Sequence, residues 1–320
     1  MDLVAGSEGL AAAATLTVAL LSACTHLPPP AHPRPALPLP TDIARRYAVA
    51  GPVHEEALVP IGGEDGTRFF RGTVTAGVER ADFFLLLPDG DPRPFVMCLP
   101  ILAGGEELMW IVGQGLADRG YAVAWTKRVA SGLRAGQGAT DLEEIFRRTV
   151  VHNRMVLAWA RTQPEIDGGR TGCLGLSMGG MIGAALIAVE PTLRGGALCL
   201  AGGDLADLLI VSTEDRALKW RKWRHRHDGL GGAALRDELA RELQSDPARL
   251  GAYVPTRKVL LVGGAFDDVV PRRHQDLLWE GLGRPERRLF PLGHYSAALA
   301  IGPIFGAVDR FLRRRFAASD

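Results

Sequence analysis

The chain contains a serine flanked by glycines, Gly175-Leu176-Ser177-Met178-Gly179, at the junction of two apolar segments. Residues 171–176 form a short apolar run typical of a buried parallel strand, and residues 178–189 are apolar almost throughout, as in a buried helix. A side chain larger than hydrogen at either glycine would collide where the strand and the helix approach each other. The pattern predicts a strained turn that lifts the Ser177 hydroxyl above the sheet edge, where it could act as a nucleophile.

A serine hydroxyl is a poor nucleophile near neutral pH, so it needs a base to accept its proton and a group to orient that base. Two later loops supply these side chains: Asp267 follows the apolar run 258–262, and His294 follows the run 287–291. Because parallel strands end at the same edge of a sheet, both loops could meet Ser177 there. We expect His294 to transfer the proton and Asp267 to hold the imidazole in the required tautomer.

Acyl transfer also needs hydrogen-bond donors for the negative charge that develops on the substrate oxygen. The predicted helix begins at Met178, whose backbone N–H is therefore one expected donor. A glycine-containing loop follows the apolar strand 95–99, and the second donor is expected there. We assign it to Leu102, with Ile101 as the alternative.

Strands and helices alternate along most of the chain, which predicts a mostly parallel sheet with helices on both faces. The opening strands 67–78 and 81–88 are expected to be antiparallel, whereas residues 41–59, of mixed composition, are expected to wrap the domain. Residues 203–254 contain no strand-like core, and their apolar periodicity indicates helices at 205–209, 215–225 and 233–243. Such an insertion between late strands would form a lid over the carboxyl edge of the sheet.

The order of Ser177, Asp267 and His294 resembles that of the α/β-hydrolase superfamily, in which a nucleophile, an acid and a histidine follow one another. The likeness extends over about residues 67–317, and the opening hairpin and single lid are most similar to dienelactone hydrolases and carboxylesterases. It implies an α/β-hydrolase fold and a serine hydrolase that cleaves a carboxylic ester through an acyl-enzyme, without cofactor or metal. Amide or lactone cleavage, acyl transfer, or a catalytically silent binding lipoprotein are the alternatives.

Three further residues bear on the choice of catalytic groups. Asp268 adjoins Asp267 and could replace it, and Asp204 is a second rival because some relatives place the acid after the earlier strand, here 196–200. His152 lies on a predicted helix, 141–162, and is expected to be a packed or surface histidine.

The N-terminus resembles a bacterial lipoprotein signal, because an apolar segment, 10–23, leads into Leu21-Ser22-Ala23-Cys24. The resemblance implies lipidation of Cys24, a signal over 1–24, a proline-rich tether over 25–50 and a hydrolase domain over 51–320. The protein would then be anchored in the bacterial cell envelope on the periplasmic side. The first residues lack the basic charge of secretory signals, so a cytoplasmic protein with an apolar N-terminal helix is the alternative.

The predicted lid contains a basic run, 219–227, in which Trp220 and Trp223 share a helical face. Either these rings pack on the domain and the basic residues face water, or the run meets anionic lipid headgroups or an acidic substrate. His225 and His227 in this run lack the further ligands that zinc requires, so no metal is expected.

Composition limits the classes of partner. With 37 Lys and Arg against 36 Asp and Glu, the formal net charge of +1 offers no basis for nucleic-acid binding. Three of the four cysteines lie in apolar runs and are expected to be free buried thiols, with a disulfide between neighbouring strands as the alternative. The expected partner is a small-molecule or lipid ester, with membrane contact through the lipid anchor and the basic lid.

Overall fold

A single ten-stranded sheet orders the part of the chain that the structure, a computed structural model, describes: residues 24–101, 106–130 and 132–318. The strands are β1 (Thr25–Leu27), β2 (His54–Glu64), β3 (Thr67–Ala76), β4 (Glu79–Pro88), β5 (Arg93–Leu99), β6 (Ala122–Thr126), β7 (Ile166–Leu176), β8 (Gly195–Cys199), β9 (Val259–Gly264) and β10 (Glu286–Phe290).

The connections are mostly helical. The helices are α1 (Thr41–Arg46), α2 (Glu106–Ala117), α3 (Ala139–Ala160), α4 (Met178–Val189), α5 (Leu205–Val211), α6 (Asp215–Asp228), α7 (Gly232–Glu242), α8 (Pro247–Leu250), α9 (Arg272–Gly281) and α10 (Ile301–Ala317). Short 3₁₀ turns lie at Gly251–Tyr253, Thr256–Lys258 and Ser296–Ala300. Within the described residues, no helix combines the length and apolarity that crossing a bilayer requires.

Six strands run parallel in the order β6-β5-β7-β8-β9-β10. Of these, β6, β8 and β9 are buried along their whole length, because helices cover both faces of the sheet. The chain places β6 on one side of β5 and then returns to place β7 on the other. Ligands of parallel sheets bind beyond the carboxyl ends of the strands at such a switch in direction, and Ser177 follows β7 at this point.

The two faces of the sheet carry separate apolar cores. Along β5, Phe95, Met97 and Leu99 face the core that contains α3, α4 and the lid, whereas Val96 and Cys98 face the core that contains α2 and α10. The predicted architecture, a mostly parallel sheet covered on both faces, is therefore confirmed.

The sheet extends further than predicted at its antiparallel end. Strands β3 and β4 pair as expected, but β2 pairs with β3 where we expected an irregular wrapping segment. Pro60, Gly62 and Gly63 weaken the strand signal of β2, and an edge strand with register shifts tolerates them. Asp65 and Gly66, with φ of 48° and 76°, form the hairpin turn that joins β2 to β3. An Asp-Gly pair is a sequence signal for such a turn, but the mixed composition of the residues before it hid the strand.

The proline-rich segment, predicted as a tether that holds the domain off a membrane, lies along the domain instead. Strand β1 pairs antiparallel with β10 at the opposite edge of the sheet from β2. Further along, the Arg34 guanidinium donates to the carbonyl of Gly281 over 2.7 Å, and the Leu37 N–H donates to that of Ala252 over 2.9 Å. An extended segment without internal hydrogen bonds leaves its backbone free to bond a neighbour, which accounts for this docking.

The insertion between β8 and β9 contains α5 to α8 and buries one of its two tryptophans, Trp220, and one basic side chain, Arg224. Trp220 is buried and donates its indole N–H to the carbonyl of Gln137 over 2.9 Å. Arg224 of the same basic run is also buried, paired with Asp228 and with Glu238, so this cation does not face water as the run predicted.

We predict that Gly179→Ala lowers the free energy of unfolding by about 1–3 kcal/mol, because its new methyl carbon would lie 2.1 Å from the carbonyl oxygen of Leu99. Gly302 is the matched control, since it is also the second residue of a helix and nothing lies within 4 Å of its added methyl. Urea unfolding of both variants measures the difference; equal midpoints would show that the elbow can relax.

Candidate active site

The Ser177 backbone occupies an unfavourable conformation between β7 and α4. Its φ of 53° and ψ of −120° lie in a region that non-glycine residues rarely adopt, at a cost of about 1–3 kcal/mol. The Ser177 N–H donates to the carbonyl of Cys199 on β8 over 2.8 Å, which holds the turn. A methyl at Gly175 would lie 2.2 Å from the carbonyl oxygen of Gly179, so both glycines permit backbone contact, as predicted.

The structure brings Ser177, His294 and Asp267 into one hydrogen-bonded chain. His294 Nδ1 lies 2.8 Å from Asp267 Oδ2, and His294 Nε2 lies 3.0 Å from Ser177 Oγ. Because an ionised carboxylate only accepts hydrogen bonds, Nδ1 carries the proton towards Asp267. Nε2 then presents its lone pair to the Ser177 hydroxyl, which is the arrangement that a general base requires.

Asp267 is fixed by its own loop. Its side chain is buried, and Oδ1 accepts the N–H groups of Val269 over 3.0 Å and Val270 over 2.8 Å, which leaves Oδ2 for His294. Two backbone donors and the imidazole therefore satisfy the buried carboxylate and hold its orientation. The apolar pair Val269-Val270 that follows Asp267 in the sequence supplies these donors.

The rival acids and the additional histidine lie elsewhere. Asp204 caps α5 by accepting the N–H of Asp207 over 3.2 Å, and the side chain of Asp268 is exposed. His152 is buried on α3, where its Nε2 lies 2.9 Å from Glu79 and burial lowers its pKa. Of the three candidate acids, Asp267 is the one in contact with His294.

One of the two expected oxyanion donors lies beside Ser177. Met178 is the first residue of α4, so its N–H has no acceptor within the helix, and the residue lines the same cavity as Ser177. Leu102 lies outside the described residues, and its role stays a prediction. The alternative, Ile101, lines a cavity together with Ser177 and His294.

Two apolar cavities meet at Ser177. The smaller, of about 80 Å³, lies under the lid, between helices α3 and α5. The larger, of about 280 Å³, lies between α2 and the segment that follows β10. Their lining side chains are mostly aliphatic or aromatic, as in sites that bind an apolar ligand around a few polar groups.

Glu214 is a charged residue of the site that our sequence analysis did not identify. It lines both cavities and is the only carboxylate among the described residues that do so. It also caps α6, since its side chain accepts the N–H of Ala217 over 2.8 Å. The sequence signal, an acidic residue directly before a helix, predicts a cap and does not reveal the adjacent cavities.

The remaining sequence-predicted residues show no metal-binding arrangement. Within the described ranges, no three or more His, Cys, Asp or Glu side chains are grouped as a metal would require. Cys98, Cys173 and Cys199 are free and buried, as predicted, and burial raises the pKa of Cys173 and of Cys199 to about 12. Cys24, the predicted lipidation site, is half-buried at the start of β1.

Sequence comparisons find two relatives of unassigned function. No family model matches the chain. Two uncharacterized proteins from two strains of Mycobacterium tuberculosis are 25% identical over 263 residues, which cover 75% of this chain. The chain spans about 58% of the length of these curated relatives.

Solved structures of esterases share the architecture. Acetyl xylan esterase 1 from Thermoanaerobacterium sp. has a TM-score of 0.65 at 14% identity, over 88% of this chain and 95% of that chain. An acetyl xylan esterase from Paenibacillus sp. has a TM-score of 0.65 at 14% identity, over 85% and 91%. A glucuronoyl esterase from Teredinibacter turnerae has a TM-score of 0.54 at 15% identity, over 86% and 83%. The chain therefore has the α/β-hydrolase fold.

Replacing the acid that contacts His294 tests the geometry of the site. We expect Asp267→Asn to lower kcat by about 10⁴-fold, because the amide no longer stabilises the imidazolium or the required tautomer. Asp268→Asn is the matched control and should leave kcat nearly unchanged. Steady-state hydrolysis of a chromogenic ester measures both; the opposite order would assign the acid to Asp268.

Proposed function

We propose that this protein is a serine hydrolase that cleaves carboxylic esters through an acyl-enzyme. The observation that carries the proposal is the chain of contacts from Ser177 Oγ to His294 Nε2, 3.0 Å, and from His294 Nδ1 to Asp267 Oδ2, 2.8 Å. A serine in a strained elbow, a base with a free lone pair and a buried acid are the groups that acyl transfer needs. The structural neighbours that are esterases support the choice of an ester substrate.

In the first half of the reaction, Ser177 Oγ bonds to the ester carbonyl carbon while its proton passes to His294 Nε2. The resulting oxyanion accepts the N–H of Met178 and a second amide from the loop after β5, each donor contributing about 3 kcal/mol. Asp267 stabilises the imidazolium. The carbon–oxygen bond to the alcohol then breaks, and His294 returns the proton to the departing alkoxide.

In the second half, His294 takes a proton from water, and the hydroxide attacks the acyl carbon. The bond to Ser177 Oγ breaks, and His294 returns the proton to the serine. The two apolar cavities suit a substrate with apolar groups on both sides of the scissile bond. Glu214 would disfavour a substrate that carries a negative charge close to that bond. A small-molecule or lipid ester fits these features.

Covalent labelling separates an active hydrolase from a silent binding protein. A fluorophosphonate probe should label the wild-type protein at Ser177, because the probe reacts only with a serine that a base has activated. Ser177→Ala should remain unlabelled and retain the wild-type circular dichroism spectrum. A folded wild-type protein that resists the probe would contradict the proposal.

We also propose that Cys24 is lipidated and that the protein is anchored in the cell envelope. The apolar segment 10–23 and the tetrapeptide that ends in Cys24 support this proposal. Replacing Cys24 by Ala should move the protein out of the membrane fraction, because an acyl chain is the expected attachment. A wild-type protein found in the soluble cytoplasmic fraction would contradict it.

A further inference from the structure

Five exposed apolar side chains, which we call the apolar rim, belong to segments that line or adjoin the larger cavity. Its members, each large and solvent-exposed, are Ile111 (53% exposed), Phe266 (73%), Tyr295 (71%), Leu299 (62%) and Ile301 (36%). Single exposed apolar residues are ordinary, whereas a group of them at one place indicates an interaction surface.

Hydrogen bonds and chain connections place the rim at the cavity. The Phe266 N–H donates to the carbonyl of Leu292 over 3.0 Å, which joins the loop of Asp267 to the loop of His294. Tyr295 follows His294, and the centroids of their rings are 5.5 Å apart. Beyond them, Ile301 lines the cavity itself.

The other members flank lining residues. Leu299 lies between Ala298 and Ile301 around the 3₁₀ turn, and both of these line the larger cavity. Ile111 is one helical turn beyond Leu108, which also lines it. Ile111, Phe266 and Leu299 line neither cavity, so substrate burial in the cavities does not explain their exposure.

The chain outside the described residues joins the domain at the same end of the sheet. Thr25 on β1 pairs with Leu289 on β10, so Cys24 is next to Phe290, at the carboxyl end of β10. Cys24 also packs on the apolar core that contains α2 and α10, the face that bears the larger cavity. β1 lies four strands away from β7, the strand that Ser177 follows. At about 4.8 Å per strand, the distance between β1 and β7 across the sheet is about 19 Å.

We propose that the apolar rim docks on a lipid surface, with the larger cavity open towards the lipid. Thr25 lies at this end, and the residue before it, Cys24, is where the apolar segment 10–23 ends in the sequence or where acyl chains would replace it. An ester dissolved in the lipid would then reach Ser177 without crossing bulk water. The transfer of substrate rests on the proposed esterase function, whereas the docking does not.

Charges around the rim indicate which lipids it meets. Partial burial, followed by the carboxylates of Glu214, Asp268, Asp215 and Asp267, raises the pKa of Tyr295, so four acidic side chains lie near this member of the rim. Anionic headgroups would be repelled here, and zwitterionic phosphatidylcholine would not. The start of helix α6 near the rim is acidic, since it carries Glu214 and Asp215, and the buried Arg224 further along the helix is already paired with acids.

Flotation with phosphatidylcholine vesicles tests the docking. We expect the full-length wild-type protein, produced without acylation so that no acyl chain masks the contribution of the rim, to bind, and the double variant Phe266→Ser/Leu299→Ser produced in the same way to bind at least about tenfold more weakly, since it loses two apolar side chains from the contact. Val78→Ser is the matched control: Val78 is 98% exposed in the turn between β3 and β4, and its variant should bind like the wild type.

Hydrolysis provides the second readout. Soluble p-nitrophenyl butyrate should be cleaved by the double variant within about twofold of the wild-type rate, which also shows that the variant is folded. p-Nitrophenyl palmitate dispersed in the same vesicles should be cleaved about tenfold more slowly by the double variant than by the wild type, in line with its weaker docking.

The outcomes distinguish the two proposals. A wild-type protein that cleaves neither ester contradicts the esterase function, and the flotation result still decides the docking. Equal vesicle binding by wild type and double variant contradicts the docking. Vesicle binding that requires phosphatidylglycerol and disappears in salt would also contradict the docking, because it would indicate that helix α6 is the membrane contact. A dimer in gel filtration that the double variant abolishes would contradict it as well, because a second copy of the chain would then cover the rim.

Discussion

The site depends on a backbone contact between helix α4 and the strands beneath it. At Gly175 and Gly179, main-chain atoms occupy the space that side chains would fill, with the carbonyl of Leu99 directly against Gly179. This contact holds Ser177 in a conformation that costs about 1–3 kcal/mol and that an isolated peptide would leave. The same contact brings the end of β5, Leu99 and Pro100, against the start of α4. Ser177 and Met178, the first predicted oxyanion donor, are therefore held by the same backbone contact.

The sequence predicted the features that local residue patterns determine. It did not predict strands β1 and β2, which depend on contacts between distant parts of the chain. The elbow, the parallel strands and the loops of Asp267 and His294 carry strong local patterns, and the fold follows from them. The sequence favoured Asp267 as the acid but left Asp268 and Asp204 open, because neighbouring carboxylates look alike until one of them is seen to contact the imidazole. Strand β2 was missed because Pro60 and Gly62 are tolerated only at a sheet edge. The docking of β1 was missed because three residues of mixed polarity carry no periodicity.

The start of β1 and the candidate active site lie at the same end of the sheet. Ser177, Asp267 and His294 all follow carboxyl ends of parallel strands, and β1 runs antiparallel, so the start of β1 reaches that same end. An anchor at Cys24 and the mouth of the larger cavity would consequently face the same way. The cavities are apolar apart from the proposed reacting groups, two hydroxyls and Glu214, which fits the neutral ester with apolar substituents that we propose as the substrate.

The central claim is that Ser177 attacks an ester because His294 and Asp267 activate it. Its most direct measurement is peptide mass spectrometry of the wild-type protein quenched in acid during turnover of p-nitrophenyl acetate. Our account predicts an acetyl group on the peptide that contains Ser177, and on no other peptide, while p-nitrophenol is released. Release of p-nitrophenol with the acetyl group on a different residue, or from a Ser177→Ala protein at the wild-type rate, would contradict it.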